Sequence, residues 1–220
     1  MYLKNETLRQ GYRMLFLFLC EMGMVLQYAI VARIGDIGIL SCYYTMLSNM
    51  VCFLYFGYLV LRRPEQENPM LKGAVTVCIV VTGLVYHFML NGAMEAGVGA
   101  VGEVTFTDIA ANTLVHYIVP TMTVLDYLLF APKGAFRWWH PFTWIAAPAV
   151  YAVFVLIRAE VSSKMFAGFS GPSRYPYPFV DVDLFGFGTV LLMIAGILLA
   201  FLLLGYVLLG LDRLLGRKRK

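Results

Sequence analysis

The chain has 220 residues, of which 60% are hydrophobic and only 14% charged, with a formal net charge of +4 and a mean hydropathy of +0.75. Those figures exclude a water-soluble globular domain. They also exclude a membrane β-barrel, because the apolar runs are continuous instead of alternating and are punctuated by Pro64, Pro69, Gly92, Pro132 and Pro141.

Crossing a hydrocarbon layer of roughly 30 Å takes about 20 helical residues. Six runs are long enough, at 12–33, 38–61, 71–91, 109–131, 141–158 and 184–211. The expectation is an all-α integral membrane protein, a single six-transmembrane-helix bundle filling residues 1–220. The first run carries Glu21 and Gln27 in its centre and no small-residue cleavage pattern after it, so it reads as a span and not as a removable signal. Of the 17 Lys and Arg residues, only Arg33, Arg158, Lys164 and Arg174 fall on one side of the spans. That asymmetry places both termini in the cytoplasm of a cell whose plasma membrane, a bacterial inner membrane by expectation, holds the bundle. The terminal "GRKRK" follows an apolar helix directly, which suits an anionic inner leaflet and not a nucleic acid. "NET" at Asn5 fits a glycosylation sequon but falls on the inner side. Cys20, Cys42, Cys52 and Cys78 lie within spans without a CxxC or a His at ligand spacing, so they read as packing residues and no metal is expected.

In the second span, Ser41, Thr45 and Asn49 recur every four residues with Ser48 beside them, a polar stripe if the segment is one helix. The third span ends with His87, and a Gly-rich acidic connection at 91–108 follows it. Asp108, Asn112 and His116 repeat the stripe in the fourth span. Lipid offers these groups no hydrogen-bond partner, so both stripes should face the bundle interior. Asp126 and His140 read as structural groups near the inner end, where Trp138 and Trp139 suit headgroup anchoring, and Glu21 as a partner for a buried His or Arg. In the fifth span Trp144, Pro148, Tyr151, Val155 and Arg158 share one face that ends in a cation at the outer mouth. The connection 162–183 alternates Tyr175, Tyr177 and Phe179 with two prolines, which stiffens a segment that either lies among headgroups or folds over the mouth. The sixth span, with Gly196 and Ala200 four apart, reads as a packing helix.

The second and fourth spans enter from the same side. At about 1.5 Å per residue, Thr45 and His116 both lie roughly 10–12 Å inward and are able to meet. A Thr hydroxyl becomes a nucleophile when a neutral imidazole takes its proton, and Asn112, Asn49 or Tyr44 offers a donor for an oxyanion. Spacing does not separate Thr45 from Ser41 or Ser48 as the attacking group, and Thr in a membrane helix ordinarily bonds its own i−4 carbonyl.

The ordered motifs "YYTMLSN", "NTLVHYIVP" followed by "LDYLLF", "HPFTWIAAPAVYAVFVLIR" and "YPYPF" resemble the bacterial Pr-six-Pr membrane proteins. These are similar to the androgen-induced membrane hydrolases, six-span enzymes that cleave fatty acid esters of hydroxy fatty acids. The resemblance implies a threonine nucleophile at Thr45 and a base at His116, with Asn112 as the preceding amide. The expectation is therefore a carboxylic ester hydrolase of lipid metabolism acting on a lipid ester drawn from the bilayer. His87, Tyr151, Arg158 and Tyr177 would contact substrate, with Arg158 holding a carboxylate, and no cofactor would be needed. Two other classes use some of the same residues. His87 and His116 are placed to ligate one b-type haem in an electron carrier, and Glu21, Asp126 and Arg158 would suit the ion path of a small transporter.

Overall fold

The computed structural model describes residues 3, 5–32, 37–90, 105–168 and 171–217. Lys4, Arg33, most of the Gly-rich connection and the basic residues 218–220 lie outside the described residues. Six helices are long and apolar enough to cross a membrane: Glu6–Ile30, Tyr44–Arg62, Pro69–Leu90, Phe106–Phe130, His140–Val161 and Phe187–Arg217. They are the first to sixth spans below. The first four pack around a core in which Phe16, Cys20, Cys52, Phe56 and Ile79 are almost wholly buried. The fifth and sixth pack against the far side of the third, through Trp144, Phe201 and Leu209. The first and last described residues lie at one end of the bundle, the termini end, where Leu3 donates its N–H to the Leu129 carbonyl at 2.6 Å and Gly216 meets Gly134.

Local chemistry sets the ends. Asn68 accepts from the N–H groups of Met70 at 2.9 Å and Leu71 at 3.3 Å, and Pro69 opens the third span where no N–H is needed. Thr105 and Asp108 form a reciprocal capping box that starts the fourth span, so Asp108 belongs to a helix start and not to a polar stripe. Asn5, the sequon residue, accepts from Leu8 N–H at 3.0 Å as a cap.

The second span begins later than its hydropathy suggests. A four-residue helix, Ile37–Leu40, breaks at residues 41–43 before the long helix starts at Tyr44. Ser41 therefore lies off the stripe, and Thr45 is the second residue of its helix. The third and fourth spans each contain a π-helical turn, Tyr86–Leu90 and Leu114–Ile118. The second has a visible cause: Pro120 has no N–H to return to the carbonyl of His116 four residues back. Gly83 packs there so closely that a Cβ would sit 2.7 Å from that carbonyl oxygen. At the termini end, Arg13 pairs with Asp126 at 2.9 Å and with Glu67, while Lys72 pairs with Asp126 and, at 3.6 Å, with Glu67. Arg13 and Lys72 are each 2% exposed and Asp126 is fully buried. The quartet is neutral in sum, and it takes two cations that read from the sequence as loop charges into the core.

The sixth span contacts the bundle through Gly205, against Pro141 and Trp144. A Cβ on Gly196 would meet nothing within 4 Å, and Gly196 and Ala200 are both exposed, so the small pair expected to pack does not. Buried Asp212 accepts from Tyr127 hydroxyl at 2.8 Å and Phe136 N–H at 2.9 Å, a polar tie that hydropathy hides. The long connection after the fifth span folds over the bundle mouth. Its short hairpin pairs β1 (Phe166–Gly168) with β2 (Gly171–Ser173), and Tyr175 and Tyr177 beyond it are buried.

Candidate active site

Thr45 and His116 come together near the end opposite the termini. Thr45 Oγ1 lies 3.2 Å from His116 Nε2. His116 Nδ1 lies 3.1 Å from the Asn112 carbonyl oxygen; a carbonyl only accepts, so Nδ1 carries the ring proton and Nε2 presents a lone pair to the threonine hydroxyl. Tyr86 stacks on the imidazole with centroids 3.9 Å apart and planes 13° from parallel. The ring is 7% exposed. Tyr86 has no signal in the sequence, because the π-helical turns that bring it to His116 lie outside regular helical spacing.

The three candidate hydroxyls separate. Ser41 bonds Tyr28 at 2.9 Å, and Ser48 bonds Thr82 at 2.8 Å and the Thr45 carbonyl at 3.0 Å. Thr45 alone of the three meets the imidazole. It also lines a cavity walled by the third, fifth and sixth spans and the connection 162–186. Apart from Thr45 and Thr82, the polar groups on that wall are the phenols Tyr44, Tyr151 and Tyr177; the rest is aliphatic or aromatic. The imidazole stands behind the hydroxyl, away from the cavity.

Other expected site residues have different employment. Asn112 reaches the ring through its backbone, while its side-chain oxygen accepts from Gln27 at 2.8 Å. Asn49 donates to the Thr45 carbonyl at 2.8 Å and the Val115 carbonyl at 3.2 Å, clasping the second and fourth spans with both amide protons. The Tyr44 ring packs edge-on to Tyr151 and Phe201, and its buried hydroxyl meets no hydrogen-bond partner. Tyr151 donates to the Cys42 carbonyl at 2.9 Å across the break in the second span. Arg158 does not stand free at the mouth: it donates to the Arg174 carbonyl at 2.8 Å and covers the Phe166 ring at 4.4 Å. His87 is exposed and bonds Tyr117 at 3.2 Å. It lines neither the cavity nor a shared site with His116, whose two nitrogens are both engaged. Glu21 is exposed on the first span instead of pairing inside.

The connection over the mouth is tied at several points and acts as a strap. Arg174 holds Asp183 through two bonds of 2.9 and 2.7 Å, and Glu160 at 3.3 Å. Asp181 accepts from Ser173 hydroxyl at 2.6 Å. The Arg174 guanidinium holds the Asp183 carboxyl below its ordinary range, and burial pushes the Tyr177 phenol above its own. Tyr177 packs edge-on to Tyr43 at 5.6 Å and stacks on Phe179 at 5.1 Å. No group of three or more metal-ligating side chains occurs among the described residues. No family model, curated protein or solved structure matches the chain.

Proposed function

We propose that this protein is a membrane hydrolase that cleaves a lipid ester, with Thr45 as nucleophile and His116 as general base and then acid. One observation carries the proposal: the Thr45 hydroxyl lies 3.2 Å from a bare imidazole nitrogen, on a residue that lines an apolar cavity. Thr45 attacks the ester carbonyl as its proton passes to His116 Nε2, giving an acyl-threonine and a released alcohol. Water then repeats the sequence and frees the acid. The residues supply nucleophile, base and hydrocarbon wall, so the reaction as written needs no cofactor.

Chemistry narrows the substrate. No cation lines the cavity among the described residues, and Arg158 is bound to the strap, so a free carboxylate has no partner beside the reacting carbon. A neutral acyl ester is the substrate class; for a fatty acid ester of a hydroxy fatty acid, the free carboxyl would stay at the headgroup level. The resemblance of the second, fourth and fifth spans to lipid-ester hydrolases of the bilayer points the same way. The charge asymmetry of the chain suits a bacterial plasma membrane with both termini in the cytoplasm and the cavity near the outer leaflet. A fluorophosphonate probe tests the proposal directly. The full-length protein labels, and Thr45→Ala and His116→Ala do not; labelling that survives in Thr45→Ala refutes the nucleophile.

A further inference from the structure

One carboxyl group faces outward in the middle of the bilayer. Glu21 is exposed on the first span and makes no hydrogen bond or ion pair among the described residues. At about 1.5 Å per residue it lies about 12 Å beyond Arg13 of the buried quartet and about 14 Å short of Ile30, close to the centre of the hydrocarbon layer. Asp126 and Asp212, on the fourth and sixth spans, are by contrast fully buried and bonded. Water does not reach Glu21 at that depth, so its partner must come from another molecule. The residues along the same face form a seam. Thr7, Gly11, Met14, Phe18, Glu21 and Val25 recur at alternating steps of four and three, which are the a and d positions of a heptad. All six are exposed, on a helix unbroken from Glu6 to Ala32. A Cβ on Gly11 would meet nothing within 4 Å, which leaves room for a second backbone to approach. The outward face of the sixth span, through Leu192, Leu199 and Leu203, carries no group that selects a neighbour.

We propose that this seam pairs with that of a second copy of the chain, giving a two-fold dimer in which the two Glu21 carboxyl groups bond each other. Symmetry selects the copy. Chains inserted the same way share one orientation, so a two-fold axis relating them runs along the membrane normal, and each seam residue meets its own counterpart at its own depth. In a parallel heptad pair the a positions face each other, as do the d positions. A carboxyl group that holds its proton donates one hydrogen bond and accepts another, so the group that satisfies it fully is a second carboxyl. A single polar position in an apolar seam also fixes the register, because any slip sets it against hydrocarbon. Dimerisation is independent of the ester chemistry, since no residue of the first span lines the cavity.

The test uses the full-length protein, labelled once at its C-terminus and reconstituted in phosphatidylcholine liposomes, with the dimer fraction counted from photobleaching steps across a series of protein-to-lipid ratios. The parent dimerises. Glu21→Ala weakens the dimer roughly tenfold, the scale of an interhelical hydrogen bond in a bilayer, and Glu21→Gln, whose amide also donates and accepts, stays within about threefold of the parent. Oxidative cross-linking gives a second measurement that leaves Glu21 untouched. Val25→Cys joins two chains and Leu192→Cys does not, both with Cys42→Ser, because the other three thiols are buried. A parent that stays monomeric at every ratio overturns the proposal, whether or not it captures another membrane protein. So does a dimer that Glu21→Ala leaves as tight as before, or one that cross-links through Leu192→Cys and not through Val25→Cys. A glutamine variant as weak as the alanine one overturns the carboxyl pair.

Discussion

At the scale of single residues, backbone atoms take roles that a sequence reader assigns to side chains. Asn112 stands one turn from His116, and its amide is the natural candidate to orient the ring; the carbonyl does it instead, while the amide bonds Gln27. Asn112→Ala keeps that carbonyl. It should change fluorophosphonate labelling by less than about tenfold, against roughly 10⁴-fold or more for loss of Thr45 or His116. Asn49→Ala behaves differently, because it removes the fully buried amide that bonds the Val115 carbonyl, while the Thr45 carbonyl keeps Ser48. About 1–3 kcal/mol of stability should go with it, read from the unfolding midpoint in an SDS titration. Legibility divides along the same line. Thr45 and His116 were visible because a hydroxyl and an imidazole in hydrocarbon need each other, and depth on two spans pairs them. The competing serines, the Tyr86 stack and the committed amide of Asn49 depend on rotamers and on a helix break that spacing does not encode.

Among elements, close approach decides which glycines matter. Gly73 faces Trp144 so tightly that a Cβ would lie 2.0 Å from a ring carbon. Gly73→Ala should cost about 1–3 kcal/mol through overpacking between the third and fifth spans. Gly196→Ala, with open space around it, should leave the SDS midpoint unmoved. The strap is an element held by exposed charge. Asp183 has its carboxyl depressed by Arg174, so the contact is fully present above the ordinary carboxylate value and is lost as pH falls through the depressed one. Proteolysis within 162–186 should therefore accelerate at the acid end, and Asp183→Asn should abolish that pH dependence. Salt should weaken the tie in the same assay. Aromatic and proline density signalled the strap in the sequence, although the choice between headgroup layer and mouth came only from the burial of Tyr175 and Tyr177.

Across the whole molecule, polar chemistry occupies both ends of the bundle, and the two ends do different things. The quartet of Arg13, Glu67, Lys72 and Asp126 closes the termini end; the Thr45–His116 pair opens on a cavity at the other. Asp126→Ala leaves two cations buried with one carboxylate. The expected loss is about 3–5 kcal/mol, measured by SDS unfolding, with no specific change in labelling of the fraction that remains folded. Six spans were legible from hydropathy because a continuous apolar run of that length has few other uses. The quartet was not, since Arg13 and Lys72 sit near helix starts where a cation ordinarily reaches water. Asp212 escaped for a similar reason: it falls one residue past the apolar run 184–211, where a carboxylate ordinarily reaches water, whereas the helix runs on to Arg217.

The π-helical turn at Leu114–Ile118 makes the imidazole's aim a matter of residue count as well as residue type. Excising one position there, Val115 for instance, would let the rod wind regularly, leaving the helix on either side near its present phase but drawing His116 out of the wide turn that aims it. Hydropathy would be unchanged and insertion into lipid should proceed as before, yet the imidazole and the threonine would no longer share a line. A single lost codon at that point would thus give an intact integral protein in which Thr45 and His116 no longer meet.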